Sequence, residues 1–229
     1  MKIKAVLFDL GGTLIDSTEF CDTFQRILRL KGIERSVRDV KRAMLEAELE
    51  LKKEIGGGVP KDTDYYTRWN LGILHRLGIR GRDLELAEDI DKHWFDYMEV
   101  RVQPGAYELV KSLTDCGIKL GIVTNGYQSD LEKILPKLSM QRAFDVLVAA
   151  DSLGKRKPDP EPFLHAVRKL GVTPAETVFV GDEYQVDYVG ARRAGLIPFL
   201  FDPKKKRKSM LTKVKVIHSL PDLLSKINP

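Results

Sequence analysis

The sequence predicts an α/β protein whose core is a doubly wound parallel sheet, with an all-helical domain inserted after the first strand. Two observations predict this fold. From residue 104 onward, short apolar segments rich in strand formers alternate with segments of helical periodicity. Before that region lies a block of about 80 residues whose apolar positions follow helical spacing alone. Because alternating strands and helices form parallel sheets covered on both faces, we assign residues 1–16 and 100–229 to the core and residues 17–99 to a helical domain.

Each predicted strand of the core is a short apolar run that ends in turn or polar residues. The first, IKAVLF at residues 3–8, is followed by Asp9 and two glycines, the pattern of a buried strand that ends in a tight turn. The remaining strands are predicted at residues 118–124, 144–149, 177–180 and 197–201. The helices between them are predicted at residues 104–116, 129–138, 160–170 and 186–194. With right-handed crossovers, this order gives a Rossmann-like sheet.

The inserted block has the periodicity of amphipathic helices. Apolar residues recur there at helical spacing, as in the set Val40, Met44, Ala47 and Leu51. A glycine-rich segment at 56–60 interrupts the pattern, and two further helical stretches follow at about 64–77 and 84–98. We therefore expect a helical domain connected to the core at both of its ends.

The composition indicates a globular protein of the cytoplasm. Hydrophobic residues make up 43% of the 229 residues, which is typical of a packed domain. The sequence contains no apolar run of the roughly 20 residues that a membrane span needs, and its N-terminal apolar stretch is too short for a signal peptide. Cys21 and Cys116 are far apart and are expected to be free thiols. Abundant Lys and Glu with only three Asn and five Gln are typical of a thermophilic source.

The positive net charge has a local origin. It is +5, and the run Lys204–Lys208 alone carries five positive charges. This run could bind nucleic acid or serve as a targeting signal, but a solvated loop after a strand is the better interpretation. We therefore expect no nucleic-acid partner and no membrane partner.

Polar residues follow several of the predicted strands at the edge where ligands bind in open α/β sheets. They are Asp9, the segment Thr124-Asn125-Gly126, Lys157, Asp182 and Asp187. Carboxylate oxygens suit a hard cation such as Mg²⁺. A lysine and backbone N–H groups suit a phosphate. The sequence therefore predicts a site for a metal and a phosphate at this edge.

These segments, in this order, resemble the four motifs of the haloacid dehalogenase superfamily, and the resemblance covers nearly the whole chain. It implies that Asp9 is the nucleophile, that Thr124 contacts the transferring phosphoryl group and that Lys157 is the motif III lysine. Asp182 matches the metal ligand of motif IV, and Asp187 matches its second acid. The helical block matches the cap domain that some members carry after motif I.

The resemblance implies a Mg²⁺-dependent phosphohydrolase that acts on a small phosphorylated metabolite through an aspartyl-phosphate. We expect a monomer or a homodimer. The implied metal ligands are Asp9, the carbonyl of Gly11, Asp182 and Asp187. The implied catalytic residues are Asp9, Thr124 and Lys157. The implied substrate-binding residues are Gly12, Thr124, Asn125, Gly126 and Lys157.

Gly11 departs from the family pattern. Most phosphatases of the superfamily have a second aspartate there, which protonates the leaving group and later activates water. Its absence leaves three alternatives to a normal phosphatase: a weak or inactive binding protein, a dehalogenase-like member, or a phosphonate-cleaving member that uses a cap lysine. Asp182 and Asp187 argue against the dehalogenase branch, which does not need acids in motif IV.

Single residues also have structural interpretations. Asp182 could be a helix N-cap, and Asp187 could have a capping or supporting role. Lys155 and Arg156 compete with Lys157 for the motif III position, and the proline that follows Lys157 favours it. Glu183 fits a surface residue better than a substitute acid.

Overall fold

The fold is described from a computed structural model that covers residues 2–16, 20–54, 65–205 and 214–227. The chain divides into two compact units, one formed by Met1–Asp16 with Val100–Pro229 and the other by Ser17–Glu99. The glycine-rich segment at 56–60 and the last part of the basic run, residues 206–208, lie outside the described residues.

The first unit contains a six-stranded sheet in which all neighbouring strands are parallel. Its strands are β1 (Ala5–Phe8), β2 (Lys119–Val123), β3 (Val146–Val148), β4 (Thr177–Gly181), β5 (Ile197–Phe201) and β6 (Val216–Ile217). Their order across the sheet is β3-β2-β1-β4-β5-β6. The predicted α/β fold with a parallel sheet is confirmed.

Helices connect the strands of this unit. They are α5 (Ala106–Asp115), α6 (Gln128–Lys137), α7 (Ala150–Leu153), α8 (Pro160–Leu170), α9 (Val189–Arg193) and α10 (Asp222–Ile227). The helix predicted from residue 104 starts two residues later, because Gly105 occupies the N-cap with φ of 82°. The helix predicted at 186–194 begins instead as a π-helical turn over Tyr184–Tyr188. This wider turn contains Asp187, which is buried.

Strand β1 is at the centre of the core. It pairs with β2 on one side and β4 on the other, so that Phe8 lies level with Ile122 and Val180. All four of its residues are fully buried. On one face of the sheet the ring of Phe163 from α8 packs edge-on against Phe179 at 4.8 Å. A strand enclosed on both faces and both edges gives the residue that follows it a fixed position.

The second unit has a hydrophobic core of its own. Its helices are α1 (Phe20–Leu30), α2 (Val37–Glu54), α3 (Tyr65–Arg76) and α4 (Asp83–Tyr97). Residues from all four helices form that core, among them Phe24, Met44, Ile73 and Ile90. Trp94 packs against Phe20 and Phe24 at its margin.

Two expectations from the composition concern the state of the cysteines and membrane-spanning segments. Cys21 and Cys116 are both free thiols. Across residues 2–16, 20–54, 65–205 and 214–227, no helix combines the length and the hydropathy that a membrane span requires.

Candidate active site

The carboxyl ends of the central strands bring the predicted site residues to one edge of the sheet. Asp9 follows β1, Thr124 follows β2 and Asp182 follows β4. The amide of Asp9 donates to the carbonyl of Val180 at 2.9 Å, and the amide of Thr124 donates to the carbonyl of Val148 at 2.9 Å. Both residues therefore continue the sheet's hydrogen-bonding pattern. We call the group Asp9, Thr124, Lys157, Asp182 and Asp187 the catalytic edge.

Lys157 enters the catalytic edge from the loop before α8 and is almost completely buried. Its Nζ lies 2.6 Å from Oδ1 of Asp9 and 2.7 Å from Oδ1 of Asp187. Although burial alone would lower the pKa of this ammonium group, the two carboxylates outweigh burial and raise it above its ordinary value. Lys157 is therefore charged and held between two acids. The competing Lys155 is exposed and pairs with Asp159 at 3.1 Å.

Three carboxylates converge at the catalytic edge. Asp9, Asp182 and Asp187 each offer an oxygen, and these oxygens lie within 4.8 Å of one another. Burial raises the pKa of Asp9 to about 6, despite the opposing effect of Lys157. Burial, together with the charges of Asp9 and Asp187, raises the pKa of Asp182 to about 7. In this cluster the carboxylates repel each other, and an added cation would stabilise their ionised forms.

The donor set fits a divalent metal. When all three carboxylates are ionised, they and the one ammonium group carry two net negative charges, which one Mg²⁺ would balance. All the offered side-chain ligands are oxygens, as Mg²⁺ prefers. Asp187 also accepts a hydrogen bond from the amide of Glu183 at 3.0 Å and pairs with Lys157, so both of its oxygens already have partners.

Two glycines follow Asp9 and differ in their surroundings. Gly12 has a φ of 83°, and a Cβ built on it would lie 2.5 Å from Oδ2 of Asp182. The backbone therefore approaches the acid as closely as only glycine permits. Gly11 lies outside the left-handed region, and a Cβ built there would meet no atom of the described residues within 4 Å. Among the residues that the structure describes, the space beside position 11 is open.

In the segment after β2, the side chains of Thr124 and Asn125 make different hydrogen bonds. The hydroxyl oxygen of Thr124 accepts a hydrogen bond from the amide of Gly126 at 3.1 Å. The Asn125 side chain binds the main chain of Lys157 in both directions: its Nδ2 donates to the carbonyl at 3.0 Å, and its Oδ1 accepts from the amide at 2.8 Å. Substrate contact by Asn125 stays a prediction, and in the structure its side-chain amide contacts the main chain of Lys157.

Thr13 is a site residue that the sequence did not point to. It is fully buried, and its hydroxyl donates to Oδ2 of Asp9 at 3.2 Å. The available signal was its place in the turn after β1, four residues beyond Asp9, where a hydroxyl can reach back to the carboxylate. The side chain of Glu183, by contrast, is exposed, as expected for a surface residue.

Comparisons with known proteins identify the family of this chain. A family model described as a haloacid dehalogenase-like hydrolase matches residues 3–195. Glyceraldehyde 3-phosphate phosphatase of Methanopyrus kandleri is 32% identical over 198 residues, which cover 85% of this chain and 82% of that protein.

Two solved structures share the fold. The HAD-hydrolase YfnB of Bacillus subtilis in a magnesium-bound form matches all of both chains with a TM-score of 0.83 at 18% identity, a likeness of fold alone. The 2-haloacid dehalogenase of Pseudomonas syringae matches 98% of this chain and 99% of its own with a TM-score of 0.70 at 25% identity.

Proposed function

This chain belongs to the haloacid dehalogenase-like hydrolases, and we propose that it is a Mg²⁺-dependent phosphohydrolase of the cytoplasm that acts on a small phosphorylated metabolite. Its similarity to a phosphatase over 85% of its length supports the reaction class. The proposal includes a cap role for the helical unit at residues 17–99, in which that unit selects the substrate. It includes no nucleic-acid or membrane partner.

The observation that carries the proposal is the buried lysine between two carboxylates, with a third carboxylate beside them. Burying these charges together costs desolvation free energy, and groups with perturbed pKa values of this kind cluster at functional sites. We assign the metal to Asp9, Asp182, Asp187 and the carbonyl of Gly11. A bound Mg²⁺ would neutralise charge on the phosphoryl oxygens and on the carboxylates. Lys157 and the Thr124 hydroxyl would bind the remaining phosphoryl oxygens.

The reaction then proceeds in two steps on Asp9. A carboxylate oxygen of Asp9 attacks phosphorus while the bond from phosphorus to the leaving oxygen breaks, which gives an aspartyl-phosphate and an alkoxide, phenolate or carboxylate that takes up a proton from water. Water then attacks phosphorus, the bond to Asp9 breaks, and inorganic phosphate leaves. The chain contributes positioning and charge stabilisation, which supply most of the catalysis in phosphoryl transfer.

Gly11 limits which leaving groups this site can use. An alkoxide needs a proton as it departs, whereas a phenolate or carboxylate is stable enough to leave alone. With no side chain at position 11, the site lacks the family's proton donor there, and such donors contribute about 10²–10⁴-fold in rate. We therefore propose a preference for aryl and acyl phosphates over sugar phosphates.

Halide displacement is the second candidate, favoured by Gly11 and by the likeness to a solved 2-haloacid dehalogenase. In that reaction Asp9 would attack carbon, and the site would need no metal. Asp182 and Asp187 oppose it, because two further buried or half-buried acids would repel the carboxylate of the substrate. The two candidates differ in their dependence on a divalent cation.

The test is hydrolysis of a panel of alkyl, aryl and acyl phosphates and 2-haloacids, with Mg²⁺ and with EDTA. We expect phosphate release that requires Mg²⁺ and falls strongly in Asp182→Asn, because that variant loses a charged ligand. Asp115→Asn, which changes an exposed acid on α5, is the matched control and should behave as the wild type. Phosphatase activity that survives both EDTA and Asp182→Asn would refute the metal-dependent proposal, and halide release in EDTA would establish the alternative.

A further inference from the structure

We propose that Asn125 is a positioning residue that sets the location of Lys157 by holding its main chain, and not a substrate ligand. The Asn125 amide makes two hydrogen bonds to one residue, at 3.0 Å to the carbonyl and 2.8 Å to the amide of Lys157. Two bonds between one planar group and one peptide segment fix orientation as well as distance. The inference rests on the proposed phosphohydrolase function for its catalytic consequence, but the clamp itself can be tested without activity.

Lys157 needs such a clamp because its side chain is long. Four rotatable bonds separate its backbone from Nζ, and ordering a lysine side chain carries one of the larger side-chain entropy costs. Nζ must nevertheless lie within 2.6–2.7 Å of both Asp9 and Asp187. A backbone held by Asn125 and an ammonium group held by two acids fix the residue at both ends.

The clamp also couples two parts of the catalytic edge. Asn125 directly follows Thr124, whose amide continues the sheet through Val148. The Lys157 loop lies 32 residues further along the chain and is attached to this dipeptide by the Asn125 side chain. The end of β2 therefore determines both the position of the Thr124 hydroxyl and that of the lysine, the two groups we assign to the phosphoryl oxygens.

Hydrogen exchange tests the clamp directly. In Asn125→Ala the amide of Lys157 loses its acceptor, so its exchange in the full chain, followed by NMR, should speed up by about fivefold or more. The matched control is Asn70→Ala, because Asn70 in α3 also donates its side-chain amide to a main-chain carbonyl, that of Ala87. That control should leave Lys157 unchanged. Unaltered exchange of the Lys157 amide in Asn125→Ala would overturn the proposal.

A double-mutant cycle tests the consequence for catalysis, with p-nitrophenyl phosphate and Mg²⁺. Asn125→Ala should lower kcat/KM by about 10²-fold, chiefly through kcat, because a misplaced lysine no longer meets the reacting group. In a Lys157→Met background the same substitution should have less than about a threefold effect, because coupled residues are not additive. Additive losses, or a rise in KM with unchanged kcat, would show that Asn125 binds substrate directly.

The two experiments separate the two proposals. A wild-type protein without phosphatase activity would refute the proposed function, while the exchange measurement would still decide whether the clamp exists. If Lys157→Met does not fold, the division between kcat and KM in Asn125→Ala decides the catalytic role alone.

Discussion

The catalytic edge of the sheet and the helical unit at residues 17–99 place their charges in opposite ways. At the catalytic edge the side chain of Lys157 is 2% exposed and is paired with two acids. In the helical unit Arg82 pairs with Glu85, and their side chains are 83% and 67% exposed. The ion pairs of Lys157 are therefore shielded from solvent, whereas the Arg82–Glu85 ion pair is solvated.

This difference separates charges that serve chemistry from charges that serve solubility. An exposed ion pair is screened by solvent and contributes little to stability. A buried one requires desolvation of both partners, and removing one partner leaves an uncompensated charge. The helical unit can therefore change its surface pairs freely, while each charge at the catalytic edge depends on the others.

The catalytic edge and the helical unit also differ in what surrounds their glycines. Gly12 at the catalytic edge and Gly78 after α3 both have positive φ, of 83° and 73°. A Cβ on Gly12 would collide with Asp182, whereas a Cβ on Gly78 would meet no described atom within 4 Å. Only the first has a neighbour whose position bears on function.

The largest expected effect comes from adding an acid to the catalytic edge. Gly11→Asp should raise the rate on alkyl phosphates by up to about 10²–10⁴-fold, because it supplies a proton to the leaving group. The backbone of Gly11 and the space around it accept a side chain. Gly11→Asn is the control, since it has the same shape but no carboxyl proton, and it should give no gain. A folded Gly11→Asp that is no faster, beside a wild type already efficient on alkyl phosphates, would mean that another residue supplies the proton.

The next effect comes from removing the buried cation. Lys157→Met should lower the free energy of unfolding by about 3–5 kcal/mol, measured by urea denaturation in EDTA, and should strongly lower kcat/KM while leaving a measurable residual rate. Arg82→Met in the helical unit is the comparison and should leave the unfolding midpoint unchanged within error. Equal effects of the two substitutions would remove the distinction between buried and exposed charge.

The loss of folding stability in Lys157→Met should also depend on pH. The pKa of Asp9 is about 6 in the folded protein against an ordinary 3.8, so the folded state holds the proton more tightly and stability falls as pH rises through that window. Lys157 limits this fall because it lowers the pKa of Asp9. Without Lys157 the pKa of Asp9 is higher, so the pH range over which stability falls extends further upward. The difference in the free energy of unfolding between variant and wild type should therefore grow as pH rises.

The smallest effect comes from the two glycines. Gly78→Ala should lose about 1–2 kcal/mol in stability, the cost of a left-handed L-residue. Gly12→Ala should lose more, because its methyl group also collides with Asp182, and denaturant unfolding measures both. Only Gly12→Ala should also weaken Mg²⁺ binding in calorimetry, because its methyl group displaces the Asp182 carboxylate. If Gly78→Ala weakens Mg²⁺ binding equally, the effect is not due to contact with Asp182.

Much of the core could be predicted from the sequence because its signals are local. The apolar run of β1, the alternation of strands with helices and the stops at glycines follow from neighbouring residues. Strand β6 and helix α10 were not predicted. Two residues of β6 are too few to show periodicity, and the strand exists because the edge of β5 offers it hydrogen-bond partners.

The candidate site likewise contains positions that follow from local sequence signals and contacts that do not. The positions of Asp9, Thr124 and Asp182 at strand ends follow from the pattern of strands. The bonds from Asn125 to Lys157 could not be predicted, because they join a strand end to a loop 32 residues away. The π-helical turn that contains Asp187 was also out of reach, because its sequence has ordinary helical periodicity.

The central place of β1 in the sheet has a consequence for synthesis on the ribosome. β1 is made first, yet its partners β2 and β4 begin only at residues 119 and 177. At about 5–20 residues per second, the first of these partners follows on the order of 5–20 s later. The helical unit is complete in sequence by residue 99 and can form its own core during that delay. We therefore expect the nascent chain to hold the apolar strand β1 unpaired while the helical unit folds, and this is the period in which it most needs protection from aggregation.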